Sequence, residues 1–425
     1  MTESLDLGWI RAQFPALSQA MNGHPVMFLD GPGGTQVPGN VIEAIGHYLT
    51  TSNANLHGAF ATSMRTDALM ATARQAIADF LGCNHDEVVF GANMTTLTFA
   101  VSRAIGRELK PGDEIVVTRL DHDANVAPWI ALEERGVIVH MVDIHREDCT
   151  LDLDDLEQKI TARTKVVAVG YASNAVGTIN DIAKIVRIAH AAGAWVFVDA
   201  VHYVPHGPIN VHTLDCDFLV CSAYKFFGPH VGILYGKREH LARLHPYKVK
   251  PASEEVPFRW ETGTQNHEAI AGLVAMVNYL AELGYRIAPG ATNRHYALFI
   301  AMATIQQYER HLSEQLIPSL LKIPGLSFYG IIDPSRFAWR TPTVAIRLKG
   351  YTPAKLAKEL GDRGIFTWNG NFYALNLTES LGVESSGGFL RIGLVHYNTV
   401  EEVNRLVSTL HDLAVRPTVG TGDRP

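Results

Sequence analysis

Residues 195–228, WVFVDAVHYVPHGPINVHTLDCDFLVCSAYKFFG, decide how this chain is read. Two apolar runs, WVFVDA and FLVCSA, have the composition of buried parallel strands, and each delivers one charged residue as its apolar run ends. Those residues are Asp199 and Lys225. Open α/β sheets bind ligands at the ends of their parallel strands, which makes the pair a candidate site, although a structural ion pair explains it equally well.

Outward from this stretch, the chain alternates strand and helix from residue 66 to about 285. The further strand candidates are EVVFG, EIVVT, VIVHMVDI, KVVAVG and GILYG, and DIAKIVRIAHAAG is a helical pattern closed by Gly193. The predicted fold class is therefore α/β, with a mostly parallel central sheet. Upstream, the spacing predicts a helix over residues 7–20, then a strand VMFLD that runs into Gly31-Pro32-Gly33-Gly34-Thr35. That turn either lets backbone approach a ligand or is a plain tight turn. VPGNVIEAIGHYLT is helical, with Pro38 in its first turn, and TSNANLHGAFATS after it is irregular.

Downstream, residues 290–323 read as one long helix. TVAIRL, a helix near 353–360, GIFTW, GFLRIGLVHY and a helix from Val400 then make a smaller α+β unit; Thr399 and Glu402 form a capping box at the last helix start. The expected organisation is an N-terminal segment 1–35 packed on the small domain, a large α/β domain 36–288, a small α+β domain 289–415 and a disordered tail 416–425.

Composition bounds the function. The chain has 425 residues, 47% of them hydrophobic and 19% charged, which is ordinary for a globular protein of two domains. A formal charge of -7 argues against a nucleic-acid partner and gives no reason to expect a membrane surface. The start MTESLDLGWIRAQF has no signal-peptide pattern and no run is long enough to span a bilayer, so a cytoplasmic location is expected. Cys83, Cys149, Cys216 and Cys221 lack metal spacing and read as buried thiols, and the 19 histidines include no HExxH motif, so no metal is expected.

Several strand ends carry groups that suit pyridoxal phosphate (PLP). Lys225 can form a Schiff base and Asp199 can hold a proton on a pyridine nitrogen. Thr95 and Thr96 stand at a predicted helix start after EVVFG, where free N–H groups favour a phosphate, although simple N-capping is the plainer explanation. Ser222, Tyr224 and His202 are further phosphate donors, or satisfied strand-end polar groups. His122, after EIVVT, can lie on a ring and move protons, or be solvated. Asn174 suits a phenolate oxygen or makes an Asx turn. Arg391 is a single cation in an apolar strand, fitted to an amino-acid carboxylate or to a buried ion pair.

With these motifs in order, the chain resembles the class V aminotransferase family of fold-type I PLP enzymes, and most closely its cysteine desulfurase branch. The likeness runs from RAQFPAL and FLDGPGG through DHDANVAPW, SNAVGTIN, VFVDAVH, LDCDFLVCSAYKFFGPHVGILYG and RWETGTQN to LRIGLVHYNTVEEVNRLV. It implies Lys225 as the Schiff-base lysine, Asp199 at the pyridine nitrogen and His122 as the stacked imidazole. It also implies Asn174 at the ring oxygen or substrate, Thr95, Ser222 and His202 at the phosphate, and Arg391 on the substrate carboxylate. A homodimer is implied, with Thr264 as a contact to a neighbour's phosphate and His57, in the 51–63 loop, near substrate. The family's histidine or glutamine at the positions of Tyr224 and His202 is altered here.

One departure bears on the reaction. Desulfurases carry a persulfide-forming cysteine in a loop matching FTWNGNFYALNL, where this chain has Tyr373, itself a candidate substrate contact. Tyrosine cannot replace a thiolate that abstracts sulfur. The expected activity is a Cβ–S lyase or sulfinate elimination on a cysteine-like amino acid. An aminotransferase or epimerase is the alternative, and a catalytically silent PLP-binding scaffold is the reading from a different class.

Overall fold

A computed structural model describes residues 5–415; the tail 416–425, expected to be disordered, and the first four residues lie outside the described part. Alternating burial on two sides of one sheet organises the larger part of the molecule. Its strands follow Met27–Phe28 (β1), which belongs elsewhere, and are Val88–Gly91 (β2), Glu114–Thr118 (β3), Ile138–Val142 (β4), Thr164–Gly170 (β5), Trp195–Asp199 (β6), Phe218–Ser222 (β7) and Gly232–Gly236 (β8). They make a seven-stranded sheet in the order β2-β8-β7-β6-β5-β3-β4, in which only β8 runs against its neighbours. Because side chains alternate across a strand, Val196 and Val198 of β6 enter one apolar core while Phe197 enters the other with Trp129. Both faces of the sheet are therefore covered, as its near-continuous apolar strands require.

The remaining strands are Leu326–Tyr329 (β9), Thr343–Leu348 (β10), Ile365–Phe366 (β11), Trp368–Gly370 (β12) and Phe389–Gly393 (β13). Four of them form an antiparallel sheet, β9-β10-β13-β12. GIFTW is thus two strands rather than one. β11 leaves this sheet and pairs in parallel with β1, Ile365 beside Met27. The N-terminal segment is fixed to this sheet's side of the molecule by that pairing, and by Arg11, which donates to the Tyr397 carbonyl and pairs with Glu402 at 3.0 Å. Thr399 and Glu402 do exchange the two hydrogen bonds of a capping box.

Several sequence expectations shift by a turn. The helix expected over 7–20 is Leu7–Ala12 followed by a 3-10 turn from Pro15, whose missing N–H ends α-helical bonding. The next helix starts at Gly39 with Pro38 as its cap, and the loop after it ends where a helix begins at Ala61. The long helix spans Arg294–Leu320, capped by the Asn293 side chain on Tyr296 N. It packs on the helix His267–Ile287, and the two approach so closely at Gly284 that an added Cβ would collide with the Ala297 carbonyl. Among the described residues, no helix is long and apolar enough to cross a membrane.

The two long helices provide a stability test. Gly284→Ala forces them apart and is expected to cost about 1–3 kcal/mol. A clear fall in the thermal unfolding midpoint checks this, and an unchanged midpoint would contradict the packing described.

Candidate active site

Strands β5, β6 and β7 end side by side, and their parallel register brings Gly170, Asp199 and the segment after Ser222 to one edge. Lys225 is carried there by a 3-10 turn, Ala223–Lys225, which follows β7 directly. The pocket at this edge has a volume of 570 Å³, within the range of cofactor and substrate sites. Its wall includes Asp199, Lys225, His122, Asn174, Thr95 and Ser222, and also Thr96, His202 and Tyr224.

The glycine-rich turn explains how the lysine is covered. The turn Gly31–Gly33 crosses the lysine segment, and the Lys225 ammonium donates to the Pro32 carbonyl at 2.5 Å. Thr35 N donates to the Tyr224 carbonyl at 3.0 Å, and Phe227 N donates to Thr35 Oγ1 at 2.7 Å. A Cβ on Gly33 would meet Trp368 Nε1 at 2.5 Å, so glycine there is a condition of close approach. The turn packs on the lysine-bearing segment through the Lys225 and Phe227 hydrogen bonds.

Burial sets the protonation of the central groups. It lowers Lys225 to about 7, with Arg391 adding to the effect and Asp199 and Asp30 opposing it. Burial likewise raises Asp199 to about 7, against the bond from Val201 N; Asp121 raises it further, and Lys225 lowers it. His122 falls to about 4, again chiefly through burial. Its Nδ1 accepts from Ala124 N at 3.0 Å, so the neutral ring carries its proton on Nε2.

The phosphate candidates surround one helix start. The helix Met94–Gly106 is capped by Asn93, whose side chain accepts from Thr96 N, while Thr96 Oγ1 accepts from Asn93 N. Asparagine is therefore the N-cap, and the Thr96 hydroxyl closes the capping box. Met94 N donates to Ser222 Oγ at 2.9 Å, which ties the helix start to the end of β7. Tyr224 stacks on His230 at 4.8 Å, and His202 meets Thr341 Oγ1 at 3.2 Å.

Arg391 on β13 reaches the same edge from the small sheet. Its Nη1 donates to the Asn174 carbonyl at 2.9 Å, its guanidinium lies 4.0 Å from the Phe372 ring centroid, and its buried Nε has no partner. Asn174 Nδ2 donates to the Phe372 carbonyl at 2.8 Å and leaves a buried Oδ1 unpaired. Tyr373 is 71% exposed and stacks on His122 at 5.2 Å. Two candidates stand apart from this cluster within the chain. His57 is exposed and pairs with Asp67 at 3.2 Å, and Thr264 lines a neighbouring cavity that shares Thr96 and His230 with the first.

Three groups here were not assigned from sequence. Asp121 accepts from Thr118 Oγ1, Gly170 N and Asn125 Nδ2, so it locks the loop that carries His122 to the end of β5. Its signal was a second carboxylate at a strand end. Asp30 has a buried Oδ1 with no partner, and burial raises it to about 6 against the charges of Arg391 and Lys225, which lower it. Phe372 had no signal beyond its place beside Tyr373.

Comparison with known proteins places the chain in a family and a fold. Residues 27–406 match the family model described as aminotransferase class-V. A cysteine desulfurase of Pectobacterium atrosepticum is 31% identical over 418 residues, covering 94% of this chain and 96% of that protein. The apo structure of a cysteine desulfurase from Thermococcus onnurineus superposes with a TM-score of 0.85 at 27% identity, over 97% of this chain and 98% of that one. A cysteine desulfurase from Escherichia coli gives 0.82 at 28% identity, over 97% and 100%.

The low value at Lys225 predicts a pH signature in the cofactor-free protein. Between about 7 and the ordinary lysine value of 10.5, the unfolded chain binds a proton that the folded one does not. Stability therefore rises with pH across that window. Thermal midpoints of wild type should gain on those of Lys225→Met from about pH 7 to about pH 10; a constant difference would show that the amine is not desolvated.

Proposed function

The chain belongs to the aminotransferase class-V family of PLP-dependent enzymes, and from that premise we propose that it expels sulfur from Cβ of a cysteine-like amino acid with no protein thiol to receive it. The observation that carries this reading is the pocket itself: Lys225 and Asp199 line it with His122, and none of the four cysteines does. Cys149, Cys216 and Cys221 are buried and Cys83 half-buried, and burial raises all four thiols, Cys149 to about 12.

The residues fit the cofactor. An amine with a value near 7 is available as a nucleophile at neutral pH, and the carboxylate on the adjacent strand suits a protonated ring nitrogen. When bound, PLP supplies an electron sink for the bond broken at Cα. Thr95, Thr96, Ser222 and the helix start hold its phosphate, with His202 and Tyr224 as further contacts. Asp199, which lines the pocket and is raised by burial, would hold a proton for the ring nitrogen.

Lys225 would take the Cα proton of a bound amino acid, and its low proton affinity suits it to do so near neutrality. His122, neutral with its proton on Nε2, covers the site and relays protons. Arg391 holds the α-carboxylate, supported by Asn174. From a thiol substrate, sulfur would leave Cβ with the bonding pair as sulfide; from a sulfinate it would leave as SO2, hydrated to sulfite, with the pair remaining on carbon, and Tyr373 offers no thiolate to capture sulfur in either case.

A second copy of the chain completes the site in this reading. Thr264 and His57 lie outside the pocket of their own chain, and Ile42, Leu49, Phe60 and Met64 expose apolar surface on nearby helices. Light scattering should return the mass of a dimer; a monomer at micromolar concentration would remove this part of the proposal.

Purified protein supplied with PLP should show a visible absorbance band that Lys225→Ala abolishes. With L-cysteine or L-cysteine sulfinate, the expected products are sulfide or sulfite. A keto acid formed only in half-transamination, or a substrate that merely loses its chirality, would instead identify an aminotransferase or an epimerase. No spectral change with any amino acid would leave a silent scaffold.

A further inference from the structure

We propose that Phe372 is a positioning residue for carboxylate binding: its ring fixes the plane of Arg391 so that one edge of the guanidinium is presented to the substrate. The inference rests on the reading of Arg391 as the carboxylate holder. A guanidinium offers two faces and two edges able to take both oxygens of a carboxylate. The Phe372 ring occupies a face, 4.0 Å from centroid to Cζ. One edge is engaged where Nη1 donates to the Asn174 carbonyl at 2.9 Å. The other edge contains Nε, which is buried and has no partner in a residue only 4% exposed. Ring and carboxylate do not compete, because one takes the face and the other the edge.

The ring is held there against local cost. Phe372 and Tyr373 have φ of +57 and +60, a left-handed conformation that bulky side chains rarely adopt. Contacts from the opposite wall maintain it. Asn174 Nδ2 donates to the Phe372 carbonyl at 2.8 Å and Asp123 N donates to the Tyr373 carbonyl at 2.7 Å. Asn371 Oδ1 accepts from Tyr373 N at 3.0 Å, and the Tyr373 ring lies on His122. Asn174 thus touches Arg391 through its carbonyl and Phe372 through its amide, joining both parts of the device.

The test compares two probes that differ by a carboxylate, L-alanine and ethylamine, titrated calorimetrically into PLP-loaded protein. Phe372→Asn removes the ring and tolerates positive φ, whereas Phe372→Tyr keeps the ring. With the guanidinium no longer fixed before binding, L-alanine should bind roughly 2- to 12-fold more weakly in Phe372→Asn. Ethylamine should stay within about twofold, and Phe372→Tyr should bind both probes like wild type. Equal weakening of both probes would overturn the proposal, since the ring would then be a simple wall. If Arg391→Lys leaves the preference for L-alanine unchanged, the carboxylate reading itself fails. If Arg391→Lys abolishes that preference and Phe372→Asn does not alter it, only the positioning role fails. Phe372→Gly carries the same test should the asparagine variant not fold.

Discussion

The Lys225 amine sits between the end of β7 and a glycine-rich turn, with a backbone carbonyl as its hydrogen-bond acceptor. A cation held this way gives up most of its hydration for one neutral partner, and its proton affinity drops accordingly. The surrounding charges follow from that constraint. Arg391 on the far side makes a second positive charge costly, while Asp199 and Asp30 keep the cluster from becoming wholly cationic. Burial lowers Arg391 too, to about 9, and raises Asp199 to about 7 and Asp30 to about 6, so the cations hold their protons more loosely, and the carboxylic acids more tightly, than they would in water. Such a set is poised to exchange protons near neutral pH, which is the requirement of chemistry at an amino-acid Cα.

Geometry divides the labour between the two sheets. The large sheet brings Asp199 to its edge by strand register, and the turn and loops that follow its strands bring Lys225, His122 and Asn174 to the same pocket. Arg391 arrives from the small sheet and is tied to the large one by the Asn174 carbonyl. Asp121 does for His122 what Asn174 does for Arg391: it spends its carboxylate on backbone and side-chain donors so that the neighbouring loop cannot swing. Rigid support of this kind is what lets a shallow strand-end cleft keep reactive groups in fixed relation.

Much of this was legible in the residues. Buried parallel strands announce themselves as continuous apolar runs, so β5, β6 and β7 and the charged residues at their ends could be read directly. Local caps were less legible. Thr95 and Thr96 drew attention as threonines, yet the cap is Asn93, because three polar residues in four give the same pattern until one geometry wins. GIFTW split into two strands because β11 pairs with β1, a partner far away in sequence. The place of Phe372 depends on an unfavourable φ sustained by Asn174 and Asp123, and no spacing rule foresees a conformation that only tertiary contacts maintain. His57 and Thr264 have no position in the pocket of their own chain, so neither could be placed by the order of motifs.

Pairing of the early strand β1 with the late strand β11 has a consequence for how the site is closed. Asp30 bridges Gly393, and Asn398 Nδ2 donates to the Phe28 carbonyl across 370 positions of sequence. The turn that covers Lys225 begins one residue after Asp30, so its seating depends on strands that leave the ribosome late. The central sheet can form from its own strands, but the turn over Lys225 is seated only when the segment near 27–33 has met residues near 365 and 393–398, so the desolvation that lowers this lysine's proton affinity depends on long-range pairing as well as on the sheet that carries it.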